Sequence, residues 1–547
     1  MFKKCLAVLL VFTLLFSMGT MSVKAAAPAT VSAAGEQTVS AAAEEVSNPI
    51  VKFFYKVIDM LMNLILEYIN KFYHGTERPP VDDFTNDQLG KGTGEFKTEA
   101  AADAKWYLGY SSASLLTGNE LDGKHYVGGS LSFPDPKTAT QVLDDQRVRI
   151  IAVKDGETSG VVVFAIIDGF GFSYTDVREL RSRLAEFSEE NNIVGINVGT
   201  LHQHSCIDTF GMNADLIRAL ISNSGANLAG GKELISGKNA EFMENLFNVT
   251  LEGIQEAVHN MEAGNLYYGT VDASEYIKDK REPIVFDPNL NRLRFVPDNA
   301  DSRETYIVNS AIHCVGNGAA GTDVTGDYPY FMEQELNNAG KNFILIQGAE
   351  LAITSQSDPV SEEGDSRYVT LQKYGKRLAE LLLGIEEETE VAPLINLAYK
   401  QSFLPVTNEI LSFMSSVGII NDVAVTTVDG EALLVSEIAY MEIGADLAVF
   451  FAPGELAPEI AYGGAMRAED SWSGDAWPYV SMQEYIGDSR NLLVFGLMND
   501  QVGYILTDNS WHSYLTENEE IVATGEKAGS TLVKDFMALV DSTDIVA

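Results

Sequence analysis

The chain has 547 residues, of which 46% are hydrophobic and 21% are charged. This composition is typical of a globular protein with a large buried core. Its 37 basic and 78 acidic residues give a formal net charge of −41 at pH 7. Because such an acidic surface repels polyanions at ordinary salt, we expect no nucleic-acid partner.

Residues 1–25 have the three parts of a secretory signal peptide. Lys3 and Lys4 form a basic start, an apolar run follows, and a small-residue cleavage signal ends at Ala25. Such a segment directs the chain out of the cytoplasm and is then removed. We therefore expect a secreted or cell-surface protein of the bacterial type.

Residues 26–96 precede the main domain as an Ala/Ser-rich leader, an amphipathic helix over 48–73 and a linker. Along the helix, one stripe is polar: Lys52, Lys56, Asp59, Asn63 and Glu67. These polar residues argue against a transmembrane span. Two alternatives remain open for the helix, which either packs on its own domain or makes a peripheral contact with a membrane.

From residue 97 to 547, short apolar runs alternate with helical patterns. The runs over 160–168, 342–348, 446–454 and 491–500 read as buried strands, and the segments 174–190 and 240–262 have helical periodicity. This alternation favours an α/β fold with layered sheets and helices in a single catalytic domain.

Side chains that can bind a metal follow several of the apolar runs. They are Asp168, His202, His204, His313 and Glu455. Ends of strands commonly carry the active-site groups of α/β proteins. In an extended segment, the His-x-His pair would point to one side, so that one or both histidines could bind a metal. Nitrogen and carboxylate ligands with an open position are typical of catalytic zinc.

Several segments occur in an order that carries a family resemblance. They read "WYLGYSSASLLTGNELDGKHYVGG", "VVVFAIIDGFGF", "GTLHQHS", "KREPIVFDPN", "AIHCVGNGAAGTDVTGDYPYF", "FAPGELAPEI" and "GLMNDQVGYILT". The sequence between about residues 104 and 535 thereby resembles the neutral ceramidases, which are zinc amidases that hydrolyse N-acylsphingosines. The resemblance implies a mixed-sheet catalytic domain of neutral ceramidase type.

The resemblance also implies site residues. Four zinc ligands follow from it, namely His202, His313, Glu455 and Tyr504. His204 would handle a proton or bind substrate beside the metal, and Arg281 would stabilise the amide oxygen. Asp168 and Tyr514 are candidates for residues that contact the ligands and hold them in position.

Two departures from the family pattern concern the same site. Thr354 stands where the family has a serine that acts in the active site, and Ala352 stands where the family has an aspartate. In addition, Cys206 follows the first histidine pair and Cys314 directly follows His313. Three alternatives remain open for the cysteines, which form a disulfide, stay as buried thiols, or give a thiolate to the metal.

The resulting expectation is an exported zinc-dependent hydrolase of the amide bond in an N-acyl amine, with a ceramide-like lipid as leading substrate. One alternative is hydrolysis of a non-lipid amide or ester on the same scaffold. Another is a catalytically silent member that binds a lipid or other ligand.

Overall fold

A computed structural model describes residues 78–129, 137–213, 236–318, 321–416, 418–512 and 518–543, together with seven single residues elsewhere. The predicted signal peptide and leader, most of the 48–73 segment and Tyr514 lie outside these described residues. No helix within the described ranges is both long enough and apolar enough to cross a membrane.

Strands and α-helices follow one another throughout the described ranges. In chain order, the strands are β1 (Trp106–Ser114), β2 (Gln141–Val142), β3 (Arg147–Lys154), β4 (Val161–Ile167), β5 (Ile193–Thr200), β6 (Glu262–Asp272), β7 (Ile277–Asp279), β8 (Asn289–Pro297), β9 (Glu304–Ser310), β10 (Asp323–Val324), β11 (Lys341–Gln347), β12 (Ile353–Ser355), β13 (Thr389–Val391), β14 (Ile395–Pro405), β15 (Ala424–Thr426), β16 (Ala432–Ile443), β17 (Leu447–Phe451), β18 (Glu455–Leu456), β19 (Asn491–Phe495) and β20 (Tyr504–Ile505). The α-helices are α1 (Tyr174–Arg183), α2 (Ala185–Glu190), α3 (Ala240–His259), α4 (Asp327–Asn338), α5 (Arg367–Leu383), α6 (Glu409–Ser416), α7 (Pro458–Tyr462), α8 (Met482–Ile486), α9 (Asn518–Ile521) and α10 (Ala528–Asp541).

Two mixed sheets form the body of the protein. The larger has the order β11-β9-β8-β6-β1-β3-β4-β5, with β13 also paired to β6. The smaller has the order β14-β16-β17-β19, with β15 also paired to β16. Within them β4 and β5, β9 and β11, and β17 and β19 run parallel, whereas the other neighbours run antiparallel. The expected mixed α/β fold class is confirmed.

The two sheets face each other across an apolar layer. Phe164 of the larger sheet meets Phe451 and Phe495 of the smaller, with ring centroids 5.7 and 5.8 Å apart. Because side chains alternate along a strand, the residues next to these phenylalanines point away from the apolar layer between the sheets. Phe450 thus packs on Phe536 of α10, while Ile150 of β3 lies in a core with α3. The order of layers is therefore helix, sheet, sheet, helix.

Two small sheets lie at the candidate site, and a further small sheet pairs β2 in parallel with β10. β18 pairs in parallel with β20, and this register sets Glu455 beside Tyr504. β12 pairs with β7, and Thr354 forms an isolated bridge with His313. These short pairings connect loops that follow the parallel strands of both main sheets.

Candidate metal centre and its cavity

His202 lies just beyond the carboxyl end of β5. Its φ of 52° is in the left-handed region that favours glycine, which costs a histidine about 1 kcal/mol. Its Nδ1 lies 2.8 Å from the Phe170 carbonyl oxygen. Because a carbonyl only accepts, Nδ1 carries the hydrogen and the Nε2 lone pair faces away from Phe170.

His313 is held in the same way beyond the end of β9. Its Nδ1 donates to the Ile353 carbonyl oxygen at 2.8 Å, and its backbone N–H donates to that same oxygen at 3.1 Å. The two bonds fix both the orientation of the ring and its tautomer. Its Nε2 lone pair is consequently directed away from β12.

Both Nε2 atoms face the carboxylate of Glu455. The distances are 2.9 Å from His313 Nε2 to Oε2 and 3.4 Å from His202 Nε2 to Oε1. Burial lowers the pKa of His202 to about 3 and that of His313 to about 4, so both rings are neutral at pH 7. Two lone pairs and a carboxylate then face one another, which is unfavourable without a cation between them. The group therefore fits a divalent metal of the kind that binds nitrogen and oxygen ligands.

Tyr504 joins this group through the pairing of β18 with β20. Its side chain lines the same cavity as Glu455. Burial raises the pKa of the Tyr504 phenol well above its usual value, and the Glu455 carboxylate raises it further. The structure therefore brings all four predicted ligands together.

His204 lies beside the candidate ligands His202 and His313. Its ring centroid is 4.7 Å from that of His202 and 5.8 Å from that of His313. Within the described part of the chain, neither buried ring nitrogen has a hydrogen-bond partner. The donor atoms of the three histidines lie within 4.8 Å of one another. His204 is thus close enough to act on anything bound at the metal group.

Cys206 and Cys314 are both free and buried, so the disulfide alternative is wrong. Their sulfurs have separate partners, because Cys206 donates to Gln203 O at 3.2 Å and Cys314 accepts from Gln347 at 3.5 Å. A main-chain bond links the histidine loops instead, from His204 N–H to Cys314 O at 3.1 Å. Burial raises the pKa of both thiols, which disfavours a thiolate ligand.

Arg281 is held away from the cavity by acidic partners. Its guanidinium donates to Glu520 at 2.8 Å, to Glu519 at 3.2 Å and to the Ser510 carbonyl oxygen at 2.8 Å. Its neighbour Lys280 is the residue that lines the cavity. Burial lowers the pKa of His204 and of His313, and the positive charge of Lys280 adds to this lowering. The position expected for a stabilising cation is therefore occupied by Lys280, because Arg281 is used in a buried ion pair.

The remaining predicted residues lie at the edge of the site. Thr354 is half-buried on β12, with its backbone paired to that of His313. Asp168 is buried behind the histidine loops, where its carboxylate pairs with Arg149 at 2.7 Å and accepts from the Arg147 N–H. It supports the strand ends through these contacts.

Glu350 is a site residue that the sequence interpretation missed. Its carboxylate belongs to a second donor group with His313 and Glu455, whose atoms lie within 4.8 Å of one another. The signal was available, because Glu350 follows the buried run of β11 just as Asp168 follows that of β4. The family resemblance concerns only positions 352 and 354 of this turn.

The candidate ligands line a cavity of about 670 Å³. One part of its wall is formed by the candidate ligands and the adjacent histidine, namely His202, His204, His313, Glu455 and Tyr504. Most of the other walls are apolar and include Phe170, Phe210, Met212, Val406, Leu411, Ile420, Leu434, Val502, Ile521 and Val522. Arg78 and Asp422 add charged groups. The cavity is large enough for a small molecule with a long apolar part.

Comparisons with known proteins agree with this architecture. No model of a known family and no curated protein sequence matches the chain. Among solved structures, neutral ceramidase from Pseudomonas aeruginosa is similar with a TM-score of 0.58 and 14% identity. A ceramidase complexed with C2 is similar with a TM-score of 0.56 and 15% identity. Each likeness covers 81% of this chain and 76% of the other. The chain therefore has the fold of the neutral ceramidases.

Proposed function

We propose that this protein is a zinc-dependent hydrolase of the amide bond in N-acyl amines with a long apolar chain, with ceramide-like lipids as leading substrates. The observation that supports this most strongly is the position of the donor group, in which two histidine lone pairs and a carboxylate meet in the wall of a largely apolar cavity. The two solved structures with the same fold are named as ceramidases, which supports the substrate class.

His202, His313, Glu455 and Tyr504 would hold the metal. Zinc, when bound, supplies Lewis acidity that activates water and polarises a carbonyl. His204 has an unoccupied ring at the cavity wall, so one of its nitrogens can take a proton from the attacking water and return it to the leaving amine. Lys280 brings a positive charge to the same wall, where it would stabilise the developing oxyanion.

The test is an assay of purified, metal-quantified protein on fluorescent ceramide and on an N-acyl amino acid panel. We expect long-chain amides to be hydrolysed, activity to be lost with a chelator, and activity to return with Zn²⁺. Absence of turnover on both substrate sets at full zinc occupancy would contradict the proposed hydrolysis and favour a silent, ligand-binding protein.

A cavity variant tests whether the apolar chain lies where we propose. Leu411→Trp would fill part of the cavity, so we expect kcat/KM to fall at least 10-fold for a long acyl chain and little for an N-acetyl substrate. The control is Val428→Trp, at a residue that is 97% exposed. An equal fall for both chain lengths would contradict the assignment.

We also propose that the protein is exported and that the helix predicted over 48–73 contacts a membrane surface. Four apolar residues of this segment are helical and about half exposed or more, namely Phe53, Met60, Leu61 and Leu64. Because the chain is strongly acidic, an uncharged lipid surface suits it best. Flotation with phosphatidylcholine vesicles tests this, and we expect Met60→Glu/Leu64→Glu to abolish an association that the unmodified chain shows.

A further inference from the structure

Glu350 is a fully buried carboxylate whose oxygens have no hydrogen-bond partner within the described ranges. It lies in the turn between β11 and β12. Two main-chain bonds fix the turn, from Ile353 N–H to Glu350 O at 2.9 Å and from Leu351 N–H to Leu456 O at 3.2 Å. Leu456 directly follows Glu455, so the two glutamates are held at a fixed separation.

The His313 ring lies between the two carboxylates. Its Nε2 is 2.9 Å from Glu455 Oε2, and its Nδ1 is 3.8 Å from Glu350 Oε2. The donor atoms of all three residues lie within 4.8 Å of one another. One imidazole therefore has a carboxylate on each side, although its Nδ1–H already donates to the Ile353 carbonyl oxygen.

Burying two carboxylates this close to each other is costly. Each loses its hydration, and each repels the other through an interior of low dielectric constant. Lys280, a cation that lines the same cavity, is exposed to solvent. A divalent cation at the Glu455 end would interact favourably with both charges. The arrangement is thus unfavourable in the metal-free protein and becomes favourable when a metal binds.

We propose that Glu350 is a second carboxylate of the metal centre, a positioning residue that strengthens metal binding through its charge and through the His313 ring. This inference rests on the proposed metal centre, but it is independent of the substrate.

The test measures the Zn²⁺ affinity of the full chain by competition with a chromophoric chelator. We expect Glu350→Gln to weaken zinc binding by about 10- to 100-fold, the range found when groups supporting metal ligands are removed. The matched control is Glu459→Gln, because Glu459 is also buried but lies outside both donor groups. This control should keep the zinc affinity of the unmodified chain.

Melting temperatures separate a metal role from a structural one. The metal-free Glu350→Gln protein should melt at or above the metal-free unmodified protein, whereas its stabilisation by zinc should be smaller. Unchanged zinc affinity would overturn the proposal. So would a melting temperature that falls equally with and without zinc.

Two further outcomes keep the tests separate. If Glu350→Gln fails to fold, Glu350→Ala takes the same measurements with the same expectations, and failure of both to fold would indicate a structural role and overturn the proposal. If the unmodified chain binds zinc without hydrolysing any amide, the proposed function fails, while a weaker affinity in Glu350→Gln still supports this inference.

Discussion

At the scale of single residues, the backbone carbonyls of Phe170 and Ile353 determine which histidine nitrogens can bind a metal. Each carbonyl takes the Nδ1 hydrogen of one ring, and the opposite nitrogen faces Glu455. The lone pairs are thus directed before any metal arrives, so less ordering is needed on binding.

The ligand assignment predicts loss of metal in two variants. His202→Ala and Glu455→Ala should each lower zinc affinity by about 100-fold or more, since a structural zinc site gains several kcal/mol per ligand. Equilibrium dialysis with metal analysis measures this. His259→Ala, at the exposed end of α3, serves as the control and should bind zinc normally. Full zinc content in either ligand variant would refute the assignment.

His204→Ala should separate chemistry from metal binding. We expect zinc content to stay at the level of the unmodified protein, while kcat falls by about 10²- to 10⁴-fold because a proton-transfer group is lost. Metal analysis and steady-state kinetics on the same preparation check both parts. A large loss of zinc would instead make His204 a ligand.

The adjacent residues Lys280 and Arg281 should behave differently. Lys280→Ala should lower kcat/KM with little change in stability, because this side chain lines the cavity and is exposed. Arg281→Ala should lower the free energy of unfolding by about 3 kcal/mol, because it leaves buried Glu520 without its ion-pair partner. Urea denaturation and kinetics on both variants make the comparison. The reverse pattern would restore the catalytic role first expected for Arg281.

Three of the proposed ligands, His202, His313 and Glu455, follow buried runs that are visible in the sequence. Tyr504 follows no such run directly, and the family resemblance alone implies its role. Sequence interpretation missed Lys280 because two cations stand side by side in "DKRE". Which of them reaches the cavity depends on Glu519 and Glu520, more than 200 residues later. No local pattern contains that information.

At the scale of elements, the pairing of β18 with β20 brings Glu455 and Tyr504 together. Gly503 precedes Tyr504 with φ of 81°, and a Cβ atom there would lie 1.9 Å from the Val522 carbonyl oxygen. Gly503→Ala should therefore displace β20, lowering both stability and zinc affinity. Gly474→Ala is the matched control, because its φ is 83° and nothing lies within 4 Å. Thermal melts with and without zinc measure the stability of both variants, and only Gly503→Ala should differ from the unmodified protein.

The elements divide into those that sequence can predict and those that it cannot. The predicted strand over 160–168 corresponds to β4, because residues 161–167 are buried on both faces. The predicted helix over 174–190 is divided at Leu184 into α1 and α2. β18 and β20 have two residues each, too few to show any period, and their pairing depends on both main sheets being in place.

At the scale of the whole molecule, buried acids should make the metal-free protein less stable as pH rises. Burial raises the pKa of Asp422 to about 7 and that of Asp500 to about 8. These folded-state values lie above the unfolded value near 4, so the folded protein holds protons that the unfolded chain has released. The free energy of unfolding therefore falls as pH approaches the folded-state pKa, by about 2 kcal/mol for Asp500 between pH 6.5 and 8.5.

Urea denaturation in the presence of a chelator at these two pH values measures the effect. The histidines with lowered pKa act mainly below about pH 6.5, and the remainder of their effect within this window has the opposite sign. That remainder is the same in every variant compared, so it cancels in the comparison. Asp500→Asn should show a smaller difference between the two pH values, whereas the exposed Asp429→Asn should match the unmodified chain. An unchanged difference in Asp500→Asn would contradict the prediction.

The distribution of the ligands over both sheets has a consequence for folding. His202 and His313 follow strands of the larger sheet, and Glu455 and Tyr504 follow strands of the smaller one. Neither sheet alone holds all four proposed ligands, so a metal bound by them would not act as an early template for the chain. It would bind only after these distant segments have docked, and it would then slow their separation. Its contribution would therefore appear in the unfolding rate and not in the folding rate.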